Sequence, residues 1–247
     1  MKNYQLEKII NKKLNSSLIT DVIPNGLQIE GCENIKKVIV GVSVCQKLID
    51  IAIEKKADAI IVHHGFFWKN ESRKITNNQK NRIKSILLNN INLYTWHLPL
   101  DIHPTLGNNV QIAKKLNITI LGKITNCVLW GNFYNCITVY DLFKKIELVF
   151  KQKPICFYNR WDQKINSIAW CSGKGQELIK HIVNLKVDAF LTGESSENTM
   201  HYALENNINF FAAGHYSTEK FGIKALKNWL IQKYSLDVEF IDINNPV

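Results

Sequence analysis

Two stretches of the chain align without a gap: "VIVGVSVCQKLIDIAIEKKADAIIVHHG" from Val38, and "IAWCSGKGQELIKHIVNLKVDAFLTGES" from Ile168. Val38 falls on Ile168, Asp58 on Asp188 and His64 on Glu194. Further on, "NINLYTWHLPLD" meets "NINFFAAGHYSTE" after one change of length, which sets His97 on His215 and Asp101 on Glu219. Convergent βαβ units would share the apolar positions. Packing does not ask for a His-x-x-x-carboxylate after both final strands. The pattern therefore predicts an internal duplication, two similar α/β halves over residues 1–124 and 125–247.

The rest of the chain agrees with an α/β fold whose strands are largely buried. "KKVIVGVS", "ADAIIVHH" and "INLYTWH" read as strands in the first half. "QKLIDIAIEKK" and "NNQKNRIKSILLNN", with apolar residues at helical spacing, read as the helices between them. "NNVQIAKKL" is a short helix before the strand "ITILG". In the second half "SIAWCSG", "VDAFLTGE" and "INFFAAGH" are the strands, with "GQELIKHIVNLK" and "ENTMHYALENN" as helices. "YDLFKKIELVF" and "TEKFGIKALKNWLIQKY" add helices, and "KPICFY" and "LDVEFIDI" add strands. Residues 127–139 show no clear period and receive no assignment.

Composition narrows the class. The formal net charge is +10, but only Arg73, Arg82 and Arg160 of the 31 basic residues are arginine. Phosphate and base readout favour the planar guanidinium fork, and the lysines are scattered, so a solvated basic surface is expected rather than a nucleic-acid interface. No segment is apolar enough to span a bilayer, and the N-terminal "MKNYQLEKIINKKLN" reads as an amphipathic helix rather than a signal peptide. The six cysteines form no C-x-x-C pair and are expected as reduced thiols of a cytoplasmic protein.

Chemistry gathers at the strand ends. In open α/β sheets ligands collect beyond the carboxyl ends of the strands. Four such ends carry polar residues: His63 with His64, His97 to Asp101, Gly193 with Glu194, and His215 to Glu219. Neighbouring side chains of a regular strand face opposite ways, so His63 and His64 converge only where the strand ends. Imidazoles with carboxylates, and no thiolate, suit zinc, iron, manganese or nickel. Two adjacent histidines can serve two ions, with a carboxylate such as Glu219 as a bridge. His181 and His201 lie on helices without a partner motif, and His103, before Pro104 in a loop, is read as a satisfied polar residue, with a supporting place behind the ligands as the alternative.

The segments "SLITDVIPNGLQIEG", "IVHHGFFW", "LYTWHLPLDIHPTLGNN", "DAFLTGESSE" and "AAGHYSTEKFGIKAL" together resemble the GTP cyclohydrolase type 2 homolog family. These are NIF-like dinuclear-metal proteins, and the likeness is to the short bacterial YbgI-like form. The resemblance implies two α/β halves with a two-metal site between them. It implies His63, His64, Asp101, His215 and Glu219 as ligands of two divalent ions, with His97 beside them as a possible helper. It also implies a ring-shaped homohexamer.

A two-metal site most simply supports hydrolysis through an acidified water. The expected function is a metal-dependent hydrolase of a nucleotide-like or phosphorylated small molecule. The alternative is a metal-binding interaction or regulatory protein without turnover, since no general acid stands outside the ligand set. The family name points to GTP, yet the chain has no P-loop. "CSGKGQE", from Cys171 to Glu177, is either a phosphate cradle or, more simply, a tight turn. The long segment after "HHGFFW" is expected to act as a lid or partner contact, with Phe66, Phe67 and Trp68 exposed.

Overall fold

The structure is a computed structural model and describes residues 1–247. In chain order the elements are α1 (Asn3–Leu14), β1 (Gly26–Ile29), β2 (Lys37–Ser43), α2 (Gln46–Glu54), β3 (Ala59–His64), α3 (Asn77–Leu88) and β4 (Asn92–Thr95). There follow α4 (Leu98–Ile102), α5 (Asn108–Leu116), β5 (Ile118–Lys123), β6 (Leu129–Thr138), α6 (Val139–Phe150), β7 (Ile155–Phe157) and β8 (Lys164–Trp170). The last are β9 (Ala189–Thr192), α7 (Glu197–Glu205), β10 (Asn209–Ala212), α8 (His215–Tyr234) and β11 (Asp237–Phe240). No helix is long and apolar enough to cross a membrane.

The chain forms two compact units, Met1–Leu106 with Gly222–Ile243, and Gly107–Phe221 with Asn244–Val247. Set against halves at 1–124 and 125–247, β5 is built into the sheet of the second unit, and Gly222–Ile243 belongs to the first.

The first unit holds a five-stranded sheet in the order β1-β4-β3-β2-β11. All neighbours are parallel except β1, which runs antiparallel to β4 at the edge. Along β3, Ile60 and Val62 enter a core with Leu48 and Ile49 of α2 and Ile83 and Ile86 of α3. Ile61 and His63, one residue out of phase, point to the opposite face. The amphipathic α1 buries Leu6, Ile10 and Leu14. It also ties the strand ends polar-wise: Tyr94 Oη donates to Asn3 O and Trp96 Nε1 to Asn11 Oδ1.

The second unit holds a six-stranded sheet, β5-β6-β8-β9-β10-β7, in which β8, β9 and β10 are parallel. Alternation along the strands serves two cores. Ile168, Trp170, Leu191 and Phe211 pack with residues of α5 and α6. Ala169, Phe190 and Phe210 pack on the other face with Ile179 and Ala203. "GQELIKHIVNLK" makes two short 3₁₀ helices, Gln176–His181 and Val183–Leu185, rather than one α-helix. Residues 127–139 are largely β6, whose period is broken by a register shift between Asn132 and Ile137. Such a bulge hides alternation from a sequence reading.

The aligned stretches adopt the same local geometry. Val38 pairs Ala59, which pairs Asn92; Ile168 pairs Ala189, which pairs Asn209. Asp58 Oδ2 accepts from the backbone N–H of Lys36 and Lys37, and Asp188 Oδ2 from those of Asn166 and Ser167. Asn92 and Asn209 then donate through Nδ2 to the carbonyls of Asp58 and Asp188. One carboxylate thus satisfies two strand-start amides that the ladder leaves over.

Candidate metal centre

In the first unit three imidazoles meet at the ends of β3 and β4. Ring centroids are 4.5 Å apart for His63 and His64, 5.0 Å for His63 and His97, and 5.6 Å for His64 and His97. One nitrogen from each lies within 4.8 Å of the others, a group able to hold a metal ion. Asp101, in the first turn of α4, sets Oδ2 3.5 Å from Nε2 of the fully buried His63.

Each ring is fixed through Nδ1. His63 Nδ1 meets Trp96 O at 3.1 Å, and His64 Nδ1 meets Ser43 Oγ at 3.0 Å across the β2–β3 pairing. His97 Nδ1 meets Asp21 Oδ1 at 2.8 Å. Asp21 also accepts from Asn25 Nδ2 and Leu98 N. Burial alone would raise the Asp21 pKa, but the hydrogen bonds from His97 and Asn25, the His97 charge and the Leu98 amide bring it down to about 2.

In the second unit the strand ends build a group of their own. His215 opens α8 and Glu219 follows one turn later on the same face. His215 Nε2 lies 3.2 Å from Glu219 Oε2, and Nδ1 lies 2.6 Å from Glu194 Oε1. Burial works to lower the His215 pKa, but the hydrogen bonds and charges of Glu219 and Glu194 raise it to about 9.

Backbone close approach makes this possible. Gly173 has φ +62°, and a Cβ there would collide with the Glu219 carboxylate. A Cβ on Gly193 would lie 2.6 Å from Gly173 O and 2.7 Å from His215 Cα. The segment Cys171–Glu177 is therefore a tight turn. Gly173 N donates to Thr218 Oγ1, and Lys174 is exposed.

The structure thus brings His63, His64, His97 and Asp101 together in one unit, and His215 and Glu219 together in the other. The His-x-x-x-carboxylate spacing is used in two ways: Glu219 meets its own His215, while Asp101 meets His63. His103 is structural: its Nε2 meets Lys13 O, its Nδ1 accepts from the N–H of Thr105 and Leu106, and burial lowers its pKa. His201 lies exposed, 3.7 Å from Glu197. Of the partners, Glu194 stands out as a polar strand end, whereas Asp21 and Ser43 carry no sequence signal of their own. Asp21 stands in "SLITDVIPNG", 76 residues from the ring it holds, and only the fold shows the pairing.

Imidazoles whose second nitrogen is held by a carboxylate, hydroxyl or carbonyl are the usual arrangement of metal-binding histidines. Fold and donor set together define an α/β protein of two sheets with His and carboxylate groups able to hold metal ions. The chain belongs to the Duf34/NIF3 (NGG1p interacting factor 3) family, whose profile matches residues 1–246. It is 58% identical over 246 residues to a "GTP cyclohydrolase 1 type 2 homolog" of Buchnera aphidicola subsp. Schizaphis graminum, covering 100% of both chains. Identity is 49% to the protein of the same name from Escherichia coli, again over 100% of both. Among solved structures, protein ybgI superposes with a TM-score of 0.98 at 48% identity and 100% coverage of both chains. A Thermus thermophilus protein superposes at 0.91 with 29% identity, also over 100% of both.

Proposed function

We propose that this protein is a metal-dependent hydrolase with a centre for two divalent ions (zinc, iron, manganese or nickel), acting on a nucleotide-like or phosphorylated small molecule. His63, His64 and Asp101 form one side of that centre and His215 and Glu219 the other. The two sides descend from duplicated halves, residues 1–124 and 125–247. The observation that carries the reading is the set of Nδ1 partners, Trp96 O, Ser43, Asp21 and Glu194, one behind each imidazole.

When bound, a pair of such ions supplies Lewis acidity and an acidified water. The chain supplies orientation. Glu194 and Asp21 hold the His215 and His97 rings in one tautomer. His97, whose ring lies 5.1 Å from that of Trp68, stands beside the ligands as the helper group. The names of the relatives put GTP first among substrates. The family resemblance adds a cytoplasmic homohexamer.

Purified protein, loaded with each metal in turn, is incubated with a nucleotide panel led by GTP. Metal-dependent release of product from one member is expected. Full metal loading with no turnover of any member would shift the assignment to a metal-binding regulatory protein.

A further inference from the structure

A cleft of about 470 Å³ opens on the first unit beside His64. Its wall includes Ser43 and His64 on one side and Lys74, Thr76, Gln79 and Arg82 on the other. Trp68 also lines it, 5.7 Å from the His64 ring. The cleft is formed by the long loop after β3 and the first turns of α3.

The charge here is one-sided. Between Lys69 and Arg82 the chain carries Lys69, Arg73, Lys74, Lys80 and Arg82 against the single acid Glu71. Some cations elsewhere are neutralised: Lys2 by Glu33, Lys55 by Glu239, Lys144 by Glu147 and Arg160 by Asp162. None of the five loop cations takes part in an ion pair. Arg82 is one of only three arginines in the chain, and it is half-buried in the cleft wall. A ligand phosphate would give this arginine a charge-assisted, bidentate partner.

The loop is also held in place before any ligand arrives. Gln28 clasps the Phe66 backbone twice, accepting from its N–H and donating to its carbonyl. Trp68 Nε1 donates to Gly65 O, and Lys69 N to Val22 O. Phe67, which is not a glycine, is held at φ +68°. Strain of this kind persists where the surroundings over-determine it, and it gathers at ligand sites. At the N-cap of α3, the Thr76 side chain makes no hydrogen bond to the helix start.

We propose that this cleft binds the phosphate-bearing end of the ligand, through Arg82 and Lys74, and so delivers the remainder of the molecule to His64. Delivery rests on the reading of His64 as a metal-site residue; phosphate capture does not. The probe is inorganic pyrophosphate, titrated calorimetrically into full-length protein, both metal-loaded and stripped with chelator. Stripped wild type binds, and Arg82→Ala or Lys74→Gln each weakens binding about tenfold or more. Glu71→Gln does not weaken it. Lys74 is exposed, so its variant keeps the fold, and melting curves check Arg82→Ala. Binding that vanishes with the metal, or equal affinity in all variants, overturns the cleft. Metal content measured on the same samples separates that failure from failure of the metal centre.

Discussion

Glu219 reaches its place because a glycine stands opposite. Gly173→Ala adds a methyl group at φ +62°, against the Glu219 carboxylate. Lower metal content and a lower melting temperature are expected, with metal analysis by mass spectrometry as the check. On the proposed two-ion reading, with Glu219 as the bridge, Glu219→Gln should lose more metal than Asp101→Asn, because a neutral amide is a poor bridge between ions. His103→Ala should keep its metal, since that ring serves the backbone of Lys13, Thr105 and Leu106. Equal metal content in the three variants would remove the bridging role. Thiol chemistry separates residues in the same way. Cys136 is exposed, whereas burial pushes the Cys156 thiol up to about 12, and Cys171 is buried. A thiol reagent in mild alkali should label Cys136 first, because the thiolate is the reactive form. Mass mapping of the labelled peptides reads the order.

At the scale of elements, the strand-start carboxylates are the clearest test. Asp58→Asn and Asp188→Asn each weaken two charge-assisted bonds to backbone amides. A loss of about 1–3 kcal/mol is expected for each in urea denaturation, and the two should be alike. A loss at one site only would show that the two devices carry different weight. The loop after β3 departs from its expected character in two residues: Trp68 is only half-exposed, held by its Nε1 bond to Gly65 O, and Phe66 is buried. Phe67 is exposed, but Phe66 is 5% exposed and packs in the core of the first unit. The Gln28 clasp explains this, because it pins the Phe66 backbone close to β1.

For the whole molecule, metal binding and stability are linked: a ligand that binds only the folded state raises the melting temperature by mass action. Added metal should therefore raise the melting temperature of chelator-stripped wild type, and much less that of the double variant His63→Ala with His64→Ala. An equal rise in both would place the ion elsewhere. The proposed hexamer is read by light scattering. A mass near one 28.5 kDa chain at micromolar concentration would exclude the ring.

Much of this was legible in the residues. Alternating apolar runs with helical spacing dictate parallel α/β units, because period and burial are local properties of a segment. The ungapped match of Val38 onto Ile168 also carried the shared register and the paired Asp58 and Asp188. The strand-end histidines stood out because packing alone does not call for them. Contacts across long stretches of chain were not legible. Nothing near Asp21 announces His97, nothing in "CSGKGQE" announces Glu219, and β5 shows no sign of joining the second sheet. The 3₁₀ geometry of residues 176–185 was hidden as well, since apolar spacing does not distinguish it from an α-helix. A hydrogen-bond partner is chosen by where the backbone lies in space, and a carboxylate or glycine has the same sequence appearance whether it holds a ring or faces water. Those choices belonged to the tertiary structure alone.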